Sequence, residues 1–220
     1  MGNTMVTLMG TGLKLGQKMR FAKYASWIRN AHIYFLVLFL KPQMSFREVL
    51  FICSLSDSHE GIIEFGSGQS TRIWARFFRN VLTVESRLEW FREIRSRLSR
   101  RSVTSVFAPP ESSAFGTQGE ELWNTRVPSD YGMVAEFSRH LKLATSIIAD
   151  ASPNSVFFVD GQLREQLGKA ILAKSNFGIL AVHDVTPDRN YLNAWLNDKD
   201  LGFPVQYVGS LAIIRSSTRI

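Results

Sequence analysis

Three acids and a histidine stand where apolar runs break off: Glu85 after "VLTV", Asp160 after "SVFFV", and His183 with Asp184 after "FGILAV". A fourth acid, Glu64, lies inside "IIEFGSGQS", two residues before the glycine pair Gly66 and Gly68. Each type suggests a chemistry. Glycines in the turn after a strand let the backbone bend sharply and approach a ligand closely. A carboxylate ending the next strand can accept both hydroxyls of a ribose. His183 has an ordinary pKa near neutrality, which suits a general base. Asp160 and Asp184 offer the oxygen ligands that a hard divalent cation such as magnesium takes. Residues 62–86 thus suit a nucleoside-like ligand, and Asp160, His183 and Asp184 suit proton transfer or metal binding beside it.

Only a sheet can bring these residues together. Strands are predicted over 62–65, 81–84, 103–107, "SVFFVDG" and "FGILAVHD". Helices are predicted between them, over 69–79, 87–99, 136–149, "QLREQLGKAILAK" and "TPDRNYLNAWL". Ile73, Trp74, Phe77 and Phe78 share one face of the first, and Leu88, Phe91, Ile94 and Leu98 line the second. Near-continuous apolar strands are expected where a sheet is covered on both faces. The last two strands, "PVQYVG" and "SLAIIRS", are joined by Gly209 and Ser210, a connection short enough to demand antiparallel pairing. The expected fold is a doubly wound, mostly parallel seven-stranded α/β sheet with an antiparallel C-terminal strand.

Two details separate the ligand classes. A dinucleotide fingerprint wants a third glycine at position 71, where this chain has Thr71. Glu64, read on the ligand side of the turn, would repel a pyrophosphate and suit an ammonium group.

With these residues in view, the chain resembles the class I S-adenosylmethionine-dependent methyltransferases over roughly residues 45–215. The likeness rests on "EFGSGQST", "TVES", "FFVDG" and the closing "VQYVGSLAII". "VDGQLRE" and "AVHDV" bring it nearest to the small-molecule and sugar O-methyltransferase-like branch. The resemblance implies S-adenosylmethionine as cofactor, held by Glu64, Phe65, Gly66, Ser67, Gly68, Ser70, Thr71, Glu85, Ser86 and Asp160. Ser70 stands where the commoner motif has a third glycine. The end of the third strand, "VFAPPES", lacks the usual Asp for the adenine amino group, leaving Glu111 or the backbone. Asp160, His183 and Asp184 are the expected catalytic residues, with Asp160 and Asp184 as the alternative magnesium ligands. Metal-dependent relatives place an Asn after the second acid, where this chain has Val185. Arg164 is expected to face an anionic substrate or a loop. Trp123, Arg126, Asp130 and Tyr131, in an irregular stretch over 109–135, are expected to line the acceptor pocket.

Composition bounds the rest. The 220 residues suit one domain with a short appendage, divided here into an N-terminal extension, 1–44, and a catalytic domain, 45–220. A capping box, Ser45 with Glu48, marks the first helix of that domain. The single Cys53 excludes an intramolecular disulfide and a cysteine zinc cluster, and its apolar surroundings make it a small core hydrophobe. "IYFLVLFL", 33–40, is far short of the ~20 residues that span a bilayer. A helix over 21–40 is expected to pack on the domain, with peripheral membrane contact as the alternative, and the expected location is the cytoplasm. The net charge of +7 fits an anionic partner or a basic enzyme. The six arginines between Arg87 and Arg101 read as a solvated helix face, so no nucleic acid is expected. The expected partner is a small-molecule or sugar acceptor. The rival functions are an NAD-dependent oxidoreductase, an RNA-modifying methyltransferase and a non-catalytic scaffold of the same fold.

Overall fold

The computed structural model of the chain describes residues 15–98, 103–111 and 137–216, with side chains from residue 25 onward apart from Asn190 and Asp200. The apolar runs become strands β1 (Gly61–Phe65), β2 (Asn80–Glu85), β3 (Val103–Phe107), β4 (Ser155–Val159), β5 (Ile179–Val182), β6 (Val205–Val208) and β7 (Leu211–Arg215). Every residue of β1, β4 and β5 is buried. Helices α1 (Leu15–Leu40), α2 (Phe46–Leu55), α3 (Gln69–Phe77), α4 (Leu88–Leu98), α5 (Ser138–Asp150), α6 (Arg164–Leu172) and α7 (Asn190–Leu196) surround them.

The sheet runs β3-β2-β1-β4-β5-β7-β6, parallel except for β7, which lies antiparallel to both β5 and β6. The chain leaves β1 toward β2 and β3, then returns to place β4 on the other side of β1. The strand order therefore reverses between β1 and β4, where open α/β sheets bind their ligands. Register brings the candidate residues level. Phe65 pairs with Val84 and Val159, and Val159 with Val182. Gly66, Glu85, Asp160 and His183 are each the next residue, so they form one row along the carboxyl ends.

Strand alternation divides the core into two. Ile63, Phe65, Phe157, Val159, Leu180 and Val182 face α5, α6 and α7. Ile62, Val156, Phe158, Ile179, Ala181 and Ile213 face α1, α2 and α3. Cys53 is buried in the second layer, and burial pushes its thiol up to about 12, consistent with an inert core residue.

Four local expectations differ from the structure. Helix α7 begins at Asn190 and not at Thr186. The first helix begins at Leu15 rather than 21, because no Pro or Gly-rich break intervenes after Gly16. Leu88 opens α4 on the solvent side and is 37% exposed, while Ile94 and Leu98 carry the packing of that helix. Helix α6 starts at Arg164 and not at Gln162, since Leu163 takes a left-handed conformation, φ 59°, while burying its side chain.

Candidate functional site

The turn after β1 is held by its neighbours on both sides. The carbonyl of Phe65 accepts from the backbone N–H groups of Asp160 at 2.9 Å and Gly161 at 2.7 Å. Gly66 has φ +97°, and a Cβ there would lie 2.5 Å from the Gly161 backbone. Gly66 is therefore required by the fold itself. Gly68 is different. Its φ of −171° is extended backbone, and among the described residues a Cβ there would meet only Ser70 Oγ, at 3.9 Å. Among the described residues, nothing in the packing asks for glycine at 68, and they leave room above the turn.

Across this turn sits Glu85, 4% exposed. Its Oε2 accepts from both the N–H and the hydroxyl of Ser67, each at 2.7 Å, and its Oε1 accepts from the Arg87 N–H at 2.7 Å. The Ser86 hydroxyl lies 3.5 Å from Oε1. Burial raises the Glu85 carboxyl above the usual range, and the Arg87 and Ser67 hydrogen bonds oppose that shift.

Glu64 does not face the open side. It follows Ile62 on the α3 face of the strand and is fully buried. Ser70 Oγ and Trp74 Nε1 donate to its Oε1 at 2.9 and 3.0 Å, and Thr71 Oγ1 donates to its Oε2 at 2.6 Å. Thr71 Oγ1 in turn accepts from the Gly68 N–H at 3.0 Å. The carboxyl fastens the first turn of α3 to β1, and burial pushes its pKa up to about 8. The expected contact with a ligand ammonium is thus not the one its side chain makes. The hydroxyls of Ser70 and Thr71 also turn inward to it, and the Phe65 ring lies in the core, leaving only backbone atoms of Phe65 at the turn.

The second cluster gathers beyond β4 and β5. His183 Nδ1 lies 2.7 Å from Asp160 Oδ1, and Arg164 donates to the same oxygen at 3.2 Å and to the Asp160 carbonyl at 3.0 Å. Among the described residues, Asp160 Oδ2 accepts no hydrogen bond. His183 is 4% exposed, with Nε2 4.0 Å from Glu48 Oε2. Asp184 sits at φ 63°, pairs with Arg189 and lies 3.8 Å from Arg164.

The magnesium expectation does not fit this arrangement. The Arg164 guanidinium stands between Asp160 and Asp184, where a shared cation would sit. Among the described residues, no group of three or more His, Cys, Asp or Glu is placed to hold a metal ion. Arg164 is also turned toward these acids, which accounts for its charge without an anionic substrate.

Glu48 belongs to this cluster and was legible in the sequence only as a cap. It completes the capping box with Ser45, accepting from the Ser45 N–H at 2.6 Å. Its Oε1 also accepts from the N–H and hydroxyl of Ser210, at 2.6 and 2.8 Å, in the hairpin turn 162 positions away. No local pattern announces that second role. Trp123, Arg126, Asp130 and Tyr131 lie outside the described residues. Glu111 accepts from the Ser138 hydroxyl and the Arg139 N–H at the start of α5, which engages the side chain expected to contact adenine.

No protein-family model and no curated protein matches the chain. Solved structures do. A methyltransferase-like protein from Silicibacter pomeroyi DSS-3 matches 80% of this chain and 87% of its own, with a TM-score of 0.57 at 20% identity. The MycE methyltransferase of the mycinamycin biosynthetic pathway, in complex with Mg and SAH, matches 84% of this chain with a TM-score of 0.51 at 9% identity. This chain covers 53% of that larger protein. The architecture is the Rossmann-like methyltransferase fold.

Proposed function

We propose that the chain transfers a methyl group from S-adenosylmethionine to an oxygen of a small molecule or sugar. One observation carries this reading: among the described residues nothing but Ser70 Oγ lies near a side chain at Gly68, and the preceding residue, Ser67, is bonded to the buried carboxylate of Glu85. A nucleoside laid there places its ribose against Glu85. The Ser67 hydroxyl can rotate off Oε2 and leave that position to a ribose hydroxyl, while the two backbone donors keep the carboxylate in place. MycE, which shares the fold, is a methyltransferase held with SAH.

When bound, the cofactor supplies a methyl carbon made electrophilic by a sulfonium. This chain's residues have two tasks. The first is to hold acceptor and methyl carbon in line, from which much of the rate derives. The second is to take the acceptor's proton as its oxygen forms the new bond to carbon and the carbon–sulfur bond gives its electron pair to sulfur. We assign that proton to Asp160 Oδ2, the oxygen of this carboxylate that accepts no hydrogen bond among the described residues. His183 and Arg164 fix the other oxygen of the same carboxylate, so they are positioning residues. Asp184 holds Arg164 and Arg189 in turn.

Calorimetric titration with S-adenosylhomocysteine and, separately, NAD tests the reading. The wild-type chain should bind the first and not the second. Gly68→Val should weaken S-adenosylhomocysteine at least about tenfold, with an unchanged melting temperature, because its side chain enters the ligand space only. Binding of NAD alone, or undiminished binding by Gly68→Val, overturns the assignment.

A further inference from the structure

The charge of this chain is concentrated at one end. Of its 26 Lys and Arg, seven lie in residues 1–47, and of its 19 Asp and Glu none does. Residues 48–220 therefore balance, nineteen against nineteen, and the whole net charge of +7 belongs to the first 47 residues. Helix α1 lies within that segment. Lys18, Arg20, Lys23 and Arg29 fall in its first fifteen residues, and Lys41 follows its end.

The same helix is apolar on two sides. Ile33, Leu36, Val37 and Leu40 pack onto the second core layer. Arg29 fixes the roll of the helix by bonding Asp57, the Cys53 carbonyl and Ser56 at the end of α2. Trp27, Ile28, Tyr34, Phe35, Leu38 and Phe39 then point outward. They are six of the eight exposed large hydrophobic side chains among the described residues, and Phe39 is 81% exposed. At 100° per residue they fall within an arc of roughly 140°, opposite the packed side. Contiguous apolar patches of this kind mark interaction surfaces.

We propose that α1 seats the protein on an anionic lipid bilayer surface, lying in the headgroup plane with this aromatic arc inserted. Trp and Tyr favour the boundary between water and lipid, where one end of the ring system is wet. Basic residues add attraction to anionic headgroups close to the surface, and salt screens it. Among the described residues, no helix is long and apolar enough to cross a membrane, which leaves α1 lying on the lipid. A second copy of the chain on the same face would bring two segments of charge +7 together, against their mutual repulsion. The proposal is independent of the methyl-transfer reading.

Co-sedimentation of the full chain with vesicles tests it. Mixed phosphatidylcholine and phosphatidylserine vesicles should bind the protein, phosphatidylcholine vesicles far less, and added salt should release it. Phe35→Ser combined with Phe39→Ser should weaken binding at least about tenfold, because two inserted rings are lost. Both positions are exposed, so the melting temperature should hold. Lys18→Gln, Arg20→Gln and Lys23→Gln together should remove the salt-sensitive part. Equal binding by the double Phe variant overturns the proposal. So does a wild-type chain that ignores anionic vesicles, whether it sediments as a monomer or as a dimer closed over this face.

Discussion

Ser67 and Glu85 are joined twice, the N–H and the hydroxyl of Ser67 both donating to Oε2 at 2.7 Å. The two bonds are not equivalent. The N–H is fixed by the backbone of the glycine turn, whereas the hydroxyl turns about one torsion. Glu85 is thereby held in place by donors that a ligand need not disturb, with one that a ligand can replace.

This asymmetry predicts opposite outcomes at the two positions. Ser67→Ala should bind S-adenosylhomocysteine as tightly as the wild type or more tightly, because a competing donor is gone. Glu85→Ala should lose at least about tenfold in affinity, the scale of a charge-assisted hydrogen bond. Calorimetry reads both. A weaker Ser67→Ala would instead make that hydroxyl a ligand contact.

The two glycines of the turn should part company in stability. Gly66→Ala forces a side chain into φ +97° and into the Gly161 backbone at 2.5 Å, so about 2 kcal/mol or more should be lost in urea unfolding. Alanine at Gly68 should cost little, since among the described residues only Ser70 Oγ lies near. Equal losses at both positions would mean that the room above Gly68 is not open.

Glu64 should make stability fall as pH rises. Its folded pKa of about 8 lies above its ordinary 4.5. Between these values the unfolded chain has released the proton and the folded chain still holds it, so protons are lost on unfolding. The contribution of this group is complete below pH 4.5 and is lost progressively up to about pH 8. Glu64→Gln, neutral throughout, should flatten that decline. Urea midpoints of the two proteins across the window provide the measurement, and parallel profiles would refute it.

Arg164 should decide metal affinity. Magnesium should leave the melting temperature of the wild-type chain unchanged. Arg164→Ala removes the cation between Asp160 and Asp184, and magnesium should then raise the melting temperature. A wild-type chain stabilised by magnesium would return the ion to the site.

Much of the fold was legible because its signals are local. Apolar runs without alternation announced β4 and β5 as strands covered on both faces. Gly209 and Ser210 announced the antiparallel closure, and Ser45 with Glu48 announced the start of α2. The site was legible as a row of strand ends for the same reason: in parallel strands of matched register, the residue after each apolar run falls at one edge.

What stayed hidden was direction and distant partnership. Glu64 carries the motif, yet its place two residues after Ile62 turns it beneath α3, where Trp74, Ser70 and Thr71 receive it. His183 reads as a base, and its neighbours Asp160 and Glu48 come from distant parts of the chain. The amino-acid order alone determined which residues end the strands, because burial pattern and turn chemistry act over a few neighbours. Only the tertiary structure decided which of those side chains meet each other and which face open space, because hydrogen-bond partners such as Glu48 and Ser210 become neighbours only when the sheet has closed.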